Sequence, residues 1–217
     1  MDISNSPFSG EEYARRLGKT RRAMEQAGLE ALFVVDPSNQ YWLTGYDGWS
    51  FYVHQGVILT GSGDPIWWGR MQDTNGARRT VWMKEAQIRG YAEHFVQSTT
   101  CHPMEDLAAL LRELGLGRAR IGLELENYYY SAKAHAVLCA EMPGATFVDA
   151  TALVNWQRLV KSPDEIAFIR KAAAISSKIV RTGLELARPG LRKNELVAEI
   201  TRAAILGVGE DWGDYPA

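Results

Sequence analysis

The stretch NQYWLTGYDGWSFYVHQGVIL, residues 39–59, concentrates the side chains that could bind a ligand. Six aromatic residues fall within a dozen positions, namely Tyr41, Trp42, Tyr46, Trp49, Phe51 and Tyr52. Asp47 and His54 lie among them. Aromatic faces suit flat or cationic ligands, and they also suit protein interfaces. From the residues alone, three interpretations stay open: core packing, a subunit interface, or a wall that holds a ligand.

Glycines separate the two halves of this stretch. Gly45 and Gly48 bracket a predicted turn, and residues 54–60 form an apolar run that predicts a strand. The aromatic residues at 49–52 are therefore expected on the loop that leads into this strand, whereas Trp42 is expected in the core.

Other catalytic signatures are absent from the sequence. The segments GSGDPI and GLGRAR each lack the third glycine of a dinucleotide-binding loop. Walker, H-E-x-x-H and G-x-S-x-G motifs do not occur. The four histidines, His54, His94, His102 and His135, are scattered. His102 at a helix start and His135 on a helix favour structural roles, whereas His94 stays a functional candidate beside Glu93.

The segment ELEN ends a predicted strand with two carboxylates, Glu124 and Glu126, on the same side. Such a pair can serve acid–base catalysis or bind a metal. Because no third ligand lies nearby in the sequence, a solvated edge or a helix cap is the favoured interpretation.

Composition restricts the partners and the compartment. A net charge of −2 and a pI near 6.1 argue against nucleic acid or an anionic membrane as the main partner. Cys101 and Cys139 are too few for a disulfide framework and lack metal-type spacing, which indicates a reducing compartment. The first residues lack the pattern of a signal peptide, and no apolar run is as long as a membrane span. We expect a cytoplasmic protein.

The elements that must position the aromatic loop alternate between helix and strand. Ser9 and Glu12 form a capping box that predicts a helix ending near Gly28. Apolar runs predict strands at residues 30–36, 54–60, 65–69, 88–92, 119–125 and 145–150. Further helices are predicted at 73–83, 102–117 and 130–142, with a short turn at 153–156. This order predicts an α/β layered, mixed sheet that contains one antiparallel hairpin.

The character of the chain changes at RLVKSPDEIAFIRKAA, residues 158–173. Ser162, Pro163 and Glu165 give a second capping box, which predicts a helix of roughly six turns that stops at residues 188–190. A second amphipathic helix follows at 192–206, and no strand comes after it. These two helices must pack either on the first domain or on a sheet encoded beyond residue 217, and we expect the second.

Several segments together resemble the creatinase/prolidase-like ("pita-bread") hydrolases. They are SNQYWLTGYDGW, RLVKSPDEIAFIRKAA and the closing GDYPA. More narrowly, SPFSGEEYARRL, LTGYDGWSFYVHQ, GRMQDTNGARRT, QSTTCHPM, NYYYSA and FVDATALVNWQR are similar to the ectoine hydrolase branch. These segments cover nearly the whole chain.

The resemblance implies a domain plan. Residues 1–160 would form a creatinase-type N-terminal domain, a three-layer, ribonuclease-H-like α/β fold, and residues 161–217 would be a linker helix and the first helices of a truncated pita-bread domain. The catalytic residues, and the ligands of a divalent metal in metal-dependent members, would lie beyond residue 217. This chain would then hold no catalytic residue, metal site or cofactor.

The resemblance also implies a role for the aromatic loop. Family members are homodimers in which the N-terminal domain covers the active site of the partner subunit. Trp49, Tyr52 and His54 become candidates to contact a small-molecule substrate there, while Tyr46 and Asp47 would shape the loop or contact substrate less directly. Ectoine is a cyclic amidine with a carboxylate, which suits aromatic faces and a cationic or amide group.

Two other functions remain open at this stage. One is an Xaa-Pro dipeptidase or a creatinase-like amidinohydrolase of the same superfamily. The other is a non-catalytic domain that uses the aromatic loop to dimerise. Downstream sequence would distinguish them, because a dipeptidase needs a full set of metal ligands.

Overall fold

The computed structural model describes residues 6–213, so the closing GDYPA motif, apart from Gly213, lies outside the described residues. The chain divides into two compact units, Met1–Leu159 and Val160–Ala217, which are described separately. None of the described helices is long and apolar enough to cross a membrane.

A six-stranded mixed sheet forms the centre of the first unit. Its strands are β1 (Ala31–Val34), β2 (Gly56–Thr60), β3 (Ile66–Arg70), β4 (Ile88–Tyr91), β5 (Arg120–Leu123) and β6 (Thr146–Asp149), in the spatial order β4-β3-β2-β1-β5-β6. β2 runs antiparallel to both of its neighbours, and the other pairs are parallel. The predicted α/β fold with a mixed sheet is confirmed.

Helices cover both faces of this sheet and give two separate cores. The helices are α1 (Gly10–Gln26), α2 (Pro37–Thr44), α3 (Thr74–Thr80), α4 (Pro103–Glu113), α5 (Ala132–Glu141) and α6 (Leu153–Arg158). The first core joins α1, α2, α3 and α6 to one face, with Trp67 fully buried in it. The second joins α4 and α5 to the other face, around Phe33 and Trp68. Successive strand residues point to opposite faces, so Trp67 and Trp68 serve different cores.

α2 is an element that the sequence analysis missed. Asp36 is its N-cap, and the Asp36 carboxylate accepts from the backbone N–H of Asn39. Pro37 occupies the first turn, and Gly45 ends the helix in the left-handed region at φ 79°. These are ordinary helix start and stop signals. The eight residues are too few to show an apolar period among so many aromatics.

The second unit contains α7 (Pro163–Leu186) and α8 (Lys193–Leu206). The predicted capping box is present, because the Ser162 hydroxyl accepts from the Glu165 N–H at 3.2 Å and the Glu165 carboxylate accepts from the Ser162 N–H at 2.7 Å. Gly183 of α7 approaches Ile200 of α8, so the two helices pack closely there. Within the described residues of this unit, the only β pairing is a single bridge after α8.

Candidate functional site

The aromatic loop, residues 45–55, lies at one edge of the sheet. β1, β3, β4, β5 and β6 all end at this edge because they run in the same direction. β2 runs the opposite way and therefore begins there, directly after the loop. We call this the carboxyl edge. In open α/β sheets, ligands bind outside the carboxyl ends of the strands.

Two contacts fix the base of the aromatic loop. A Cβ on Gly45 would lie 2.9 Å from the Thr80 carbonyl oxygen and 2.9 Å from the Tyr13 hydroxyl, so only glycine fits here. The Tyr46 hydroxyl donates to Gln55 Oε1 at 3.1 Å and so joins the two ends of the loop. Burial raises the pKa of Tyr46.

Tyr46 and Asp47, at the start of the loop, differ in burial. Tyr46 is only 4% exposed, and its ring packs 5.1 Å from that of Trp67. Asp47 is exposed, and its N–H donates to the Thr80 hydroxyl at 3.3 Å. Tyr46 is thus a core residue, whereas Asp47 is on the surface.

The centre of the loop presents its rings to solvent. Trp49, Phe51 and Tyr52 are 54%, 70% and 49% exposed. Their rings touch in sequence, with centroids 6.1 Å apart for Trp49 and Phe51 and 5.5 Å apart for Phe51 and Tyr52. For these three residues the core-packing interpretation is wrong within this chain. Interface and ligand wall remain.

A second segment extends this surface, and sequence reasoning did not single it out. The ring centroid of Tyr129 lies 6.4 Å from that of Trp49, in an edge-to-face contact. The ring centroid of Tyr128 lies 5.6 Å from that of Tyr129. Both tyrosines belong to the turn after β5, which ends at the carboxyl edge. The run of three tyrosines in NYYYSA was the available signal. We call Trp49, Phe51, Tyr52, Tyr128 and Tyr129 the aromatic surface.

His54 lies beneath the aromatic surface. Burial, and then the neighbouring His102, lowers its pKa from 6.5 to about 4, while a hydrogen bond to the Tyr129 carbonyl opposes that shift. The imidazole is therefore neutral at pH 7. The ring centroids of His54 and His102 are 5.0 Å apart, and the Tyr91 hydroxyl donates to the His54 carbonyl oxygen at 2.9 Å.

The other histidines have local roles. His102 is the N-cap of α4, where Nδ1 accepts from the Met104 N–H at 3.2 Å, as its structural interpretation predicted. His135 on α5 contacts the Tyr130 hydroxyl at 3.3 Å and Cys139 Sγ at 3.5 Å. His94 is exposed and stacks on Phe95, with ring centroids 4.2 Å apart.

An ion pair borders the aromatic surface, and it too was missed from sequence. Arg70 ends β3, and Glu93 follows the neighbouring parallel strand β4. Arg70 Nε donates to Glu93 Oε2 at 2.8 Å, and Arg70 Nη1 donates to the Tyr52 hydroxyl at 3.0 Å. The Arg70 guanidinium lowers the pKa of Glu93. A cation and an anion thus lie side by side next to exposed rings.

Of the two structural roles favoured for Glu124, a solvated edge is wrong, whereas a role at a helix start agrees with its contacts. Glu124 is 3% exposed and accepts from the backbone N–H groups of Val35 and Asp36, both at 2.7 Å, and from Asn39 Nδ2 at 2.6 Å. Burial raises its pKa, although these hydrogen bonds oppose the rise. Glu126 is exposed, so the two carboxylates do not act as a pair. Glu124 fixes the start of α2, whose end carries the aromatic loop.

A metal site does not emerge from these side chains. Among residues 6–213, no group of three or more histidine, cysteine, aspartate or glutamate side chains could hold a metal ion. The aromatic surface and its border instead present exposed rings, a neutral imidazole and one ion pair.

Comparison with known proteins gives one family model, that of the creatinase/prolidase N-terminal domain, which matches residues 16–160. The ectoine hydrolase of Halomonas elongata is 48% identical over 97% of this chain and 54% of that protein. An uncharacterized hydrolase/peptidase of Sinorhizobium fredii is 35% identical over 97% of this chain and 54% of its own length. The chain therefore spans about half the length of these relatives.

Solved structures with the same fold include dipeptidases. An Xaa-Pro dipeptidase from Bacillus anthracis aligns with a TM-score of 0.67 at 16% identity, covering 88% of this chain and 48% of that one. A dipeptidase from Mycobacterium ulcerans aligns with a TM-score of 0.63 at 25% identity, covering 90% of this chain and 50% of that one.

Proposed function

The chain belongs to the creatinase/prolidase N-terminal domain family, as its motifs predicted, and from this premise we propose that it is the N-terminal portion of a hydrolase acting on ectoine. The reaction would open the cyclic amidine with water to give an N-acetyl-diaminobutyrate. The observation that carries this proposal is the exposed aromatic surface at the carboxyl edge. The 48% identity to an ectoine hydrolase over nearly the whole chain supports it.

The proposed protein is longer than this chain. Residues 1–160 would be its N-terminal domain, and residues 161–217 would begin a pita-bread domain that holds the catalytic residues and, if the enzyme uses one, a divalent metal. The amphipathic helices α7 and α8 support this plan because Val180 and Leu184, 60% and 76% exposed, have apolar side chains that a sheet could cover.

We further propose that the protein is a cytoplasmic homodimer in which the aromatic surface faces the active site of the partner subunit. Exposed rings at this density mark a surface that binds something. Both cysteines are free, which supports a reducing compartment. The aromatic surface is then both part of the dimer interface and a wall of the ligand site, since each subunit completes the active site of the other.

The chemistry of the surface suits an amidinium ligand. The faces of Trp49 and Tyr52 attract a cation through their ring quadrupoles, most strongly where water is excluded. Neutral His54 adds no positive charge that would repel this cation. Its role is to hold Tyr129 through the backbone carbonyl, and through Tyr129 the edge-to-face contact with Trp49.

A second candidate function is hydrolysis of a dipeptide. The dipeptidase of Mycobacterium ulcerans, which has the same fold and is 25% identical, favours it. The aromatic surface discriminates against it, because a dipeptide does not require a continuous wall of rings. A non-catalytic dimerisation domain is the third possibility, and it would bind no substrate.

The test compares two proteins on ectoine and on Xaa-Pro dipeptides. One is this 217-residue chain, and the other is the full-length protein that contains it. We expect ectoine turnover by the full-length protein only. Robust turnover by the 217-residue chain would refute the assignment of the catalytic residues to the missing portion. Turnover of dipeptides without turnover of ectoine would favour the second candidate.

A further inference from the structure

Arg70, Glu93 and Tyr52 form a hydrogen-bonded group beside the aromatic surface. Arg70 Nε and Nη2 face the Glu93 carboxylate, with contacts of 2.8 Å and 2.7 Å to Oε2. Nη1 donates to the Tyr52 hydroxyl at 3.0 Å. The group therefore links the ends of β3 and β4 to the aromatic surface.

This arrangement leaves hydrogen-bonding capacity on both charges. A guanidinium carries two N–H groups on each terminal nitrogen and one on Nε. Glu93 and Tyr52 are its partners among the described residues, so one N–H of Nη1 and one of Nη2 remain for a ligand. The Glu93 side chain is 52% exposed, which leaves lone pairs of its carboxylate accessible.

The Arg70 guanidinium is also held in place. Its side chain is 19% exposed, and the two-point contact with Glu93 fixes the plane of the fork. Glu93 in turn accepts from the backbone N–H of Gln72. A guanidinium oriented in this way loses little entropy when it binds a carboxylate.

Resting on the proposed function, we propose that Arg70 and Glu93 together recognise the zwitterionic part of the substrate. In ectoine, the carboxylate and one amidinium nitrogen are bonded to the same carbon, so the two opposite charges are adjacent. In the Arg70–Glu93 pair a cationic and an anionic group are likewise adjacent, with Arg70 Nη2 2.7 Å from Glu93 Oε2. The remaining N–H groups of Arg70 donate to the carboxylate, and Glu93 accepts from the amidinium N–H.

These two contacts determine which ligands the Arg70–Glu93 pair can bind. Each substrate charge gains an opposite partner, and the ion pair does not have to break. A ligand with a carboxylate alone would meet the negative charge of Glu93. A ligand with an amidinium alone would leave Arg70 without its second partner. The site therefore selects small zwitterions with adjacent charges, while the aromatic surface covers the ring.

The experiment measures kcat/KM of the full-length protein on ectoine and on the same cyclic amidine without its carboxylate. The variants are Arg70→Gln and Arg70→Lys, with Arg89→Gln as control. Arg89 on β4 makes a comparable two-point ion pair with Glu113. Its Nη1 lies 2.9 Å from Oε1, and its Nη2 lies 2.7 Å from Oε2. Arg70→Gln should lose on the order of 10- to 100-fold on ectoine and less than about twofold on the analogue. The loss of kcat/KM on ectoine for Arg70→Lys should be smaller than that for Arg70→Gln, since lysine keeps the positive charge but not the planar guanidinium.

The outcomes separate three cases. A loss confined to the carboxylated substrate supports the inference, and an equal loss on both substrates, or none, overturns it. If the wild-type protein turns over neither amidine, the proposed reaction is wrong, and binding to the 217-residue chain decides the inference. In that case the Arg70 Nε–H resonance, followed by NMR, should shift with ectoine and not with the analogue. An identical response to both would overturn the inference.

Discussion

His54 should make the stability of this protein depend on pH. Its folded pKa is about 4, against 6.5 for an ordinary histidine, because it is buried beside His102. Between these two values the unfolded chain binds a proton that the folded protein does not. The stabilisation is therefore complete above the unfolded pKa and is lost as the pH falls toward the folded pKa.

The size of this effect follows from the two pKa values. Their difference corresponds to roughly 3 kcal/mol of unfolding free energy between about pH 7 and pH 4. Other groups also titrate in this range, so the wild type alone does not isolate His54. The glutamine variant does, because Gln can still donate to the Tyr129 carbonyl and does not titrate.

The measurement is urea unfolding of the wild type and His54→Gln across this pH range, followed by tryptophan fluorescence. The gap between the two unfolding free energies should change by roughly 3 kcal/mol in favour of the variant as the pH falls. His94→Gln is the control, since it removes an exposed histidine instead of a buried one. Parallel curves for the wild type and His54→Gln would refute the burial argument.

Two further predictions concern Glu124, at the start of α2, and Trp49, in the aromatic surface. Glu124→Ala removes the acceptor of the Val35 and Asp36 N–H groups and one of the two acceptors of Asn39 Nδ2, so it should cost about 3 kcal/mol in urea unfolding. Exposed Glu126→Ala should cost under about 0.5 kcal/mol. Equal costs for these two variants would contradict the role of Glu124 at the start of α2. Trp49→Ala in the full-length protein should lower kcat/KM on ectoine by more than about tenfold, or roughly 1.4 kcal/mol, and unchanged kinetics would exclude substrate contact.

The fold was largely predictable because its signals are local. Among the described residues, apolar runs and capping residues predicted all six strands and every α-helix except α2. Bounds differ by a few residues, and β2 begins at Gly56, two residues after the predicted start. α2 was missed because a helix of two turns between aromatic residues shows no clear apolar period.

The site was less predictable because its contacts join distant residues. The loop position of Trp49 and Tyr52 followed from the glycines around them, whereas their exposure did not. The Arg70–Glu93 pair depends on β3 and β4 lying side by side and parallel, which the sequence pattern did not specify. The burial of Glu124 was not predicted because it comes from α2 and from partners around 35–39, about 85 to 89 residues earlier in the chain.

The hydrogen bond between Tyr46 and Gln55 closes the aromatic loop at its base, nine positions apart. Between these two residues, the side chains of Trp49 and Phe51 are exposed, and neither residue belongs to the sheet, whose register is fixed by β1 and β3 on either side of β2. Substitutions at these two positions can therefore change the exposed surface without changing how the strands pair.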